Sequence, residues 1–266
     1  MTAPLPFPRV LLKLSGEALM GSQPYGIDVA VVERLSQEIL SVHEAGIEVA
    51  IVIGGGNIFR GVAGAAQGMD RAVADQVGML ATVMNAIALR SALGAAGRNA
   101  VVMSAVPMDA ICEPYTRNHA LDHIAAGRIV IFAAGTGSPF FTTDTAATLR
   151  AAETRCDVVV KGTKVDGVYS ADPMVDPDAR RYDSLSHDEV LVRGLGVMDT
   201  TAIALARDNA IPIIVCSIEE KGSLHDVVHG RGRFTIVTNS GRADSLLAGR
   251  EDAADPEDRA PAAQTN

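Results

Sequence analysis

The residues of this chain best suited to chemistry lie in three short turns, each at the end of an apolar run. Gly135 to Asp144 reads GTGSPFFTTD after Ile129 to Ala134; Lys13-Leu14-Ser15-Gly16 follows Val10 to Leu12; and Gly54-Gly55-Gly56-Asn57 follows Val49 to Ile53. Gly135 and Gly137 let a backbone approach an anion, Pro139 fixes a turn, and Thr142 and Thr143 offer hydroxyls and cap a following helix. Asp144 then falls in that helix's first turn. Three strand ends carrying three anion-friendly turns imply a phosphorylated substrate. Lys13 and Lys161, each at a strand end, are the candidate cations.

The elements that must hold these turns alternate. The pattern predicts a strand at Arg9 to Leu14, then a helix from Asp28 to Ala45 with Asp28 as N-cap, Val32, Leu35, Ile39 and Val42 on one face, and Gly46 as its stop. A strand at Ile47 to Ile53 precedes a long helix, Met69 to Ala95, so rich in Ala, Met and Leu all round that more than one face should be buried. A strand near Ala100 to Ser104, a helix near Arg117 to Ala126, a strand at Ile129 to Ala134 and a helix from Thr143 to Glu153 follow, and Asp157 to Lys161 opens the next unit. Lys161 to Arg181 is rich in Gly and Pro and reads as hairpins and turns laid over a ligand. Helices at His187 to Val192, Asp199 to Arg207 and Gly222 to Val228 and strands at Ile211 to Cys216 and Phe234 to Val237 complete the pattern. Near-continuous apolar strands predict a three-layer α/β/α sandwich with a mostly parallel central sheet, whose ligands bind beyond the carboxyl ends of the strands.

Composition narrows the class. At 266 residues, 48% hydrophobic and 21% charged, the chain can bury a sizeable core. A net charge of −9 argues against a general nucleic-acid surface, so phosphate recognition must be local. Cys112, Cys156 and Cys216 lie far apart without a CxxC spacing and read as small core residues in a reducing compartment. Neither a leader pattern nor an uninterrupted apolar stretch of spanning length is visible, and a soluble cytoplasmic protein is expected. The polar, acidic stretch from Gly241 and the first eight residues are expected to be disordered tails around a single domain over 9–240.

Four motifs in order, KLSGEAL (Lys13 to Leu19), GGGNIFRG (Gly54 to Gly61), AGTGSPFFTTD (Ala134 to Asp144) and KGTKVDGVYSADP (Lys161 to Pro173), resemble the bacterial uridylate kinases of the amino-acid kinase superfamily. The resemblance runs from about Arg9 to Val237. It implies transfer of the γ-phosphoryl of ATP to UMP with Mg²⁺, a homohexamer, activation by GTP and inhibition by UTP. It also implies a UMP-binding lobe over 9–156 and an ATP-binding lobe over 157–240.

The chemistry fits these residues. Phosphoryl transfer passes through a transition state dense in negative charge, which lysines and glycine turns can neutralise. The phosphate of a nucleoside monophosphate is ionised at neutral pH and needs no general base, so no histidine is required. No GxxxxGK[ST] sequence is present, which excludes a P-loop kinase.

The resemblance assigns Lys13, Asp144 and Lys161 as catalytic, the acid organising the lysines. Lys13, Leu14, Ser15, Gly16, Gly56, Arg60, Thr163, Tyr169 and Asp172 would contact ATP. Gly55, Asp75, Thr136, Gly137, Ser138, Pro139, Phe140, Phe141, Thr142 and Thr143 would contact UMP, with Asp75 on the ribose hydroxyls. The plainer readings stand beside these: Arg60 as a surface ion pair, Asp199 as an N-cap, and Phe140 and Phe141 as packing residues or base contacts. Gly21, Ser22, Gln23, Pro24, Tyr25 and Gly26 match the family's effector-responsive loop, and Arg90 and Arg128 match two arginines of its GTP site, where Gly94 and Val101 depart from the usual polar residues. No dedicated metal cage of clustered acids is visible, and Mg²⁺ would be held by ATP phosphates and water. The rival readings are an amino-acid or carbamate kinase of the same superfamily and a non-catalytic nucleotide-binding shell.

Overall fold

Residues 7–60, 68–173, 175–176 and 178–239 are described in a computed structural model of the protein. Among the described residues the strands are β1 (Arg9–Leu14), β2 (Glu48–Ile53), β3 (Ala100–Ser104), β4 (Glu113–Pro114), β5 (Ile129–Ala133), β6 (Val158–Thr163), β7 (Val168–Tyr169), β8 (Arg181–Tyr182), β9 (Ser184–Ser186), β10 (Ile213–Ser217) and β11 (Phe234–Thr238). Among the described residues the α-helices are α1 (Val29–Glu44), α2 (Arg71–Ala95), α3 (Arg117–Ala125), α4 (Thr143–Thr154), α5 (His187–Arg193), α6 (Thr200–Asp208) and α7 (Ser223–Val228).

Nine strands form one sheet in the order β4-β3-β5-β2-β1-β6-β10-β11-β9, and β7 and β8 form a separate hairpin. Within the large sheet only the β10–β11 pair is antiparallel. Alternate residues of each strand enter opposite cores, as the pleat requires. Leu12, Ile51, Ile131 and Val160 pack with Leu35 of α1, Leu89 of α2 and Leu224 of α7. Their neighbours Leu11, Val52, Val130 and Val159 pack with Ile124 of α3, Ala147 of α4, Val190 of α5 and Ile203 of α6. The result is the expected three layers, with each fully buried Leu, Ile or Val contributing roughly 1.5–3 kcal/mol by transfer from water.

The helix starts follow their caps. Asp28 accepts from the amides of Ala30 and Val31, Asp70 from those of Ala72 and Val73, and Thr142 from that of Asp144. The long helix therefore starts at Arg71, two residues later than the apolar pattern suggests. By length and composition α2 would pass for a membrane span, with mean hydropathy 1.4 in its most apolar window. Yet it lies along the sheet, and Asn85 at its centre is fully buried and hydrogen-bonded to the Gly54 carbonyl at 2.7 Å.

Two edge strands, β4 and β9, were not expected, since Glu-Pro and Ser-Leu-Ser carry no strand pattern of their own and form by pairing with β3 and β11. Phe7 and Pro8, assigned to a tail by the sequence, are held by the domain: Phe7 is buried in the core and the Pro8 carbonyl accepts from Glu48 N at 2.9 Å, while residues 1–6 lie outside the described residues. The tail expected from Gly241 lies outside the described residues.

Candidate active site

The parallel register of β1 and β6 sets Lys13 directly beside Lys161. Both ammonium groups converge on one carboxylate from the first turn of α4: Lys13 Nζ is 2.5 Å from Asp144 Oδ1 and Lys161 Nζ is 3.0 Å from Asp144 Oδ2. Lys161 Nζ also donates to the Val197 carbonyl at 2.6 Å. Lys13 is only 7% exposed. Burial alone would push the Asp144 carboxyl up, but Lys13 and then Lys161 outweigh it and hold the group below the usual carboxylate range. Burial pushes the Lys161 ammonium down, Asp144 restores part of that, and the like charge of Lys13 adds to the drop. A buried and a partly buried cation locked on one acid form a fixed positive centre at the strand ends.

On one side of that centre lies the turn after β5. Ala134, Gly135 and Gly137 take positive φ of 60°, 58° and 84°. Only glycine does so freely, so the left-handed Ala134 stores strain that its surroundings must hold. Ala134 N donates to Thr82 Oγ1 at 2.8 Å, the Gly135 carbonyl accepts from Arg150 at 3.3 Å, and Thr136 Oγ1 exchanges hydrogen bonds with Ser138. Gly55, Gly56, Asp75, Gly135, Thr136, Ser138, Phe141, Thr142 and Thr143 line a cavity of about 160 Å³ here.

Asp75 sits at its rim, accepting from Phe140 N at 2.8 Å and from Arg71 Nε at 2.9 Å. Pro139 continues the same turn, but neither it nor Gly137 nor Phe140 lines the cavity. Phe140 and Phe141 are 67% and 50% exposed, which corrects the packing reading: Phe141 faces the cavity, and Phe140 lies 5.9 Å under the Arg71 guanidinium.

The two other glycine turns interlock beneath this centre. A Cβ on Gly16 would meet Asn57 Oδ1 at 2.5 Å and the Gly54 carbonyl at 2.6 Å, and one on Gly55 would meet the Gly78 carbonyl of α2 at 2.8 Å. Both glycines are therefore required for close approach. Ser15 caps a short 3-10 helix over Gly16–Leu19 by accepting from Glu17 N at 3.2 Å. Gly26 closes the loop from Gly21: its amide donates to the Asn57 carbonyl, and Asn57 Nδ2 donates back to its own carbonyl, both at 2.8 Å. Ser22, Gln23, Pro24 and Tyr25 are exposed.

On the other side of the lysines, a cavity of about 410 Å³ is lined by Lys13, Ser15, Glu17, Gly21, Lys161, Thr163, Lys164 and Glu219, among others. Leu14 is wholly buried beneath it. A neighbouring cavity of about 530 Å³ is lined by Lys164, Asp166, Lys221, Asp226 and Arg233, among others. Tyr169 donates to Asp166 at 2.5 Å, and Arg233 donates to the same acid at 2.7 Å. Burial would raise the Asp166 carboxyl, but Tyr169 and Arg233 bring it below its ordinary value. The Asp172 carbonyl accepts from Val175 and Asp176, making the turn that ends this motif.

Arg60 is ion-paired with Glu17 at the crevice mouth, its side chain 61% exposed, which matches its plainer reading. Arg90 lines a separate cavity at the sheet edge with Asp109, Cys112 and Glu113, whereas Arg128 does not. The three cysteines are buried, and burial pushes Cys156 and Cys216 up to about 12. Among the described residues no group of three or more His, Cys, Asp or Glu side chains gathers as metal ligands.

Sequence reasoning undervalued Asp199. It does cap α6, accepting from Ala202 N at 2.9 Å, but it also accepts from the hydroxyl of Thr142 and from Thr145 N and Oγ1, tying α6 to the start of α4. Nothing local marks that second role, because its partners lie more than fifty residues away.

Known proteins agree with this geometry. The sequence pattern of the Amino acid kinase family matches residues 8–217. A uridylate kinase of Bartonella henselae is 59% identical over 238 residues, covering 90% of this chain and 100% of that protein. A uridylate kinase of Brucella abortus is 57% identical over 240 residues, again 90% and 100%. The crystal structure of UMP kinase from Bacillus anthracis superimposes with a TM-score of 0.85 at 38% identity, covering 89% of this chain and 98% of that one. That of UMP kinase from Ureaplasma parvum gives 0.83 at 37%, covering 87% and 98%. With its fold, its motifs and its near full-length similarity in agreement, this chain belongs to the amino acid kinase family, in the branch of the uridylate kinases.

Proposed function

We propose that the protein transfers the γ-phosphoryl group of ATP to UMP, giving ADP and UDP. The observation that carries this reading is the pair of largely enclosed lysines, Lys13 and Lys161, fixed on Asp144 between two cavities of different size. An oxygen of the UMP phosphate bonds to the γ-phosphorus as the bond from that phosphorus to the β,γ-bridging oxygen breaks, and ADP leaves with the bridging oxygen while UDP keeps the attacking one. Negative charge gathers on the transferring group, where the two ammonium groups meet it without reorganising. Asp144 is no base in this scheme: held ionised below its usual range, it orients the lysines.

The smaller cavity takes UMP, with Asp75 on the ribose hydroxyls and Gly55, Thr136, Ser138, Phe141, Thr142 and Thr143 around the phosphate and base. The larger ones take ATP, with Ser15, Gly16 and Thr163 near its phosphates, Gly56 of the smaller cavity at the junction of the two nucleotides, and Tyr169 and Asp172 nearer its base. The two lobes, 9–156 and 157–240, are thus an acceptor half and a donor half. Mg²⁺ would arrive with ATP and offset phosphate charge. Asp144, the acid at the centre, is committed to both lysines, so the residues here do not form a metal site of their own and no step is routed through one.

The exposed apolar face of α2, with Val73, Leu80 and Met84, suits a contact between subunits, which supports a homohexamer. GTP activation and UTP inhibition belong to the same reading, as does a cytoplasmic setting, where ATP and UMP are found. ADP release measured over all nucleoside monophosphates, with and without GTP and UTP, tests it. UMP is expected to be strongly preferred, and an enzyme indifferent to its acceptor base would overturn the assignment.

A further inference from the structure

Arg150, on α4, carries a guanidinium buried to all but 4% of the residue's surface, and a buried cation requires partners. It has three. Nη1 donates to Glu153 Oε2 at 2.6 Å, the plane lies 3.8 Å over the ring of Tyr115, and Nη2 donates to the Gly135 carbonyl at 3.3 Å. The first two form a closed support: the Tyr115 hydroxyl also donates to Glu153, its ring meets Phe132 edge-on at 5.5 Å, and Arg117 Nε fixes the Glu153 carbonyl at 2.7 Å. Burial, and then the Glu153 carboxylate, push the Tyr115 phenol up, so its proton stays in place to hold the acid.

The third partner belongs to the acceptor turn. Ala134 and Gly135 are consecutive left-handed residues, held at one end by Thr82 and at the other by Arg150. Because a trans peptide sets its N–H opposite its C=O, fixing the Gly135 oxygen on Arg150 turns the Thr136 N–H the other way. Gly135 and Thr136 both line the acceptor cavity. We infer that Arg150, braced by Tyr115 and Glu153, is a positioning residue that aims the Thr136 amide into the acceptor cavity, toward the bound nucleotide. It touches no substrate and acts only through the peptide between Gly135 and Thr136. The inference rests on reading that cavity as the UMP site.

Three variants test it by separating UMP from ATP kinetics. Arg150→Met is expected to raise the KM for UMP about five- to tenfold, the effect of one mis-aimed hydrogen-bond donor, with the KM for ATP within twofold. Arg150→Lys, which keeps the charge but loses the fork, should fall between Arg150→Met and wild type. Tyr115→Phe, which keeps the ring and loses only the bond to Glu153, should raise it about twofold. A role in stability alone would lower the melting temperature and leave the UMP KM of the folded fraction unchanged, or shift both KM values together; either result overturns the inference. Should Arg150→Met fail to fold, Arg150→Lys and Tyr115→Phe decide on the same criterion. Wild-type enzyme without a UMP preference would instead remove the functional reading beneath it.

Discussion

The acceptor and donor halves of the crevice are built on different principles. The acceptor half is backbone held in place: left-handed residues, glycines with no room for a Cβ, and backbone groups of Ala134, Gly135 and Phe140 engaged by α2 or α4. The donor half is side chains around open space, where Lys164, Asp166, Lys221 and Arg233 line cavities of about 410 and 530 Å³. A rigid turn discriminates by shape and by where its N–H groups point. Long side chains in an open cavity can rearrange, so each contributes less. The contrast suggests that substrate choice resides in the acceptor half, while the donor half tolerates change.

The sharpest way to break that contrast is at the point shared by both halves. Lys13→Ala removes a buried cation from the centre and should lower kcat about 10³-fold, the scale on which a preorganised charge-stabilising group acts, with both KM values little altered. A loss under tenfold in stably folded protein would mean that transfer occurs elsewhere.

The same centre has a pH signature. Lys161 holds its proton less tightly than the ordinary lysine value of 10.5, so kcat should fall on the alkaline side before a free lysine would titrate. Stability should move the opposite way there. Between the folded and unfolded values the unfolded chain binds more protons, so the Lys161 contribution to stability rises with pH and is lost as pH falls back through the folded value. Asp144, with its value depressed, has stability present above the unfolded carboxylate value and lost as pH falls through the folded one. Lys161→Arg should carry the alkaline limb of the rate profile upward; an unmoved limb would assign it to another group.

On the acceptor side, Asp75→Asn keeps the shape and the Phe140 contact but loses the charge that pairs with Arg71. The KM for UMP should rise about tenfold, the cost of weakening one or two charge-assisted hydrogen bonds, with the KM for ATP within twofold. Equal rises in both would dissolve the distinction between the halves.

How far the sequence could be read also follows this division. Lys13, Asp144 and Lys161 were legible because motif and strand end coincide, and the sheet register that brings the two lysines together follows from parallel pairing of apolar strands. The layers were legible because hydrophobic periodicity is local. The partners of Asp199, the brace of Arg150 and the pairing of Asn57 with Asn85 were not, since each joins residues separated by 15 to 57 positions through a single side chain. Phe140 and Phe141 were open to two readings, packing or base contact, and packing fails because the left-handed φ of 71° at Phe140 turns the segment outward, where the turn needs its amide on Asp75.

The smallest expected effect lies in the donor half. Tyr169→Phe removes one hydrogen bond to Asp166, whose carboxylate keeps Arg233 as a partner. A partly exposed acid that retains a cation loses little when one of two donors goes, because water replaces the hydroxyl. The KM for ATP should therefore rise only two- to threefold, about 0.5 kcal/mol, and the KM for UMP should not change. A tenfold rise would mean that the donor half is held as firmly as the acceptor turn, by a phenol whose orientation matters as much as that of a buried peptide, and choice would then be shared across the crevice.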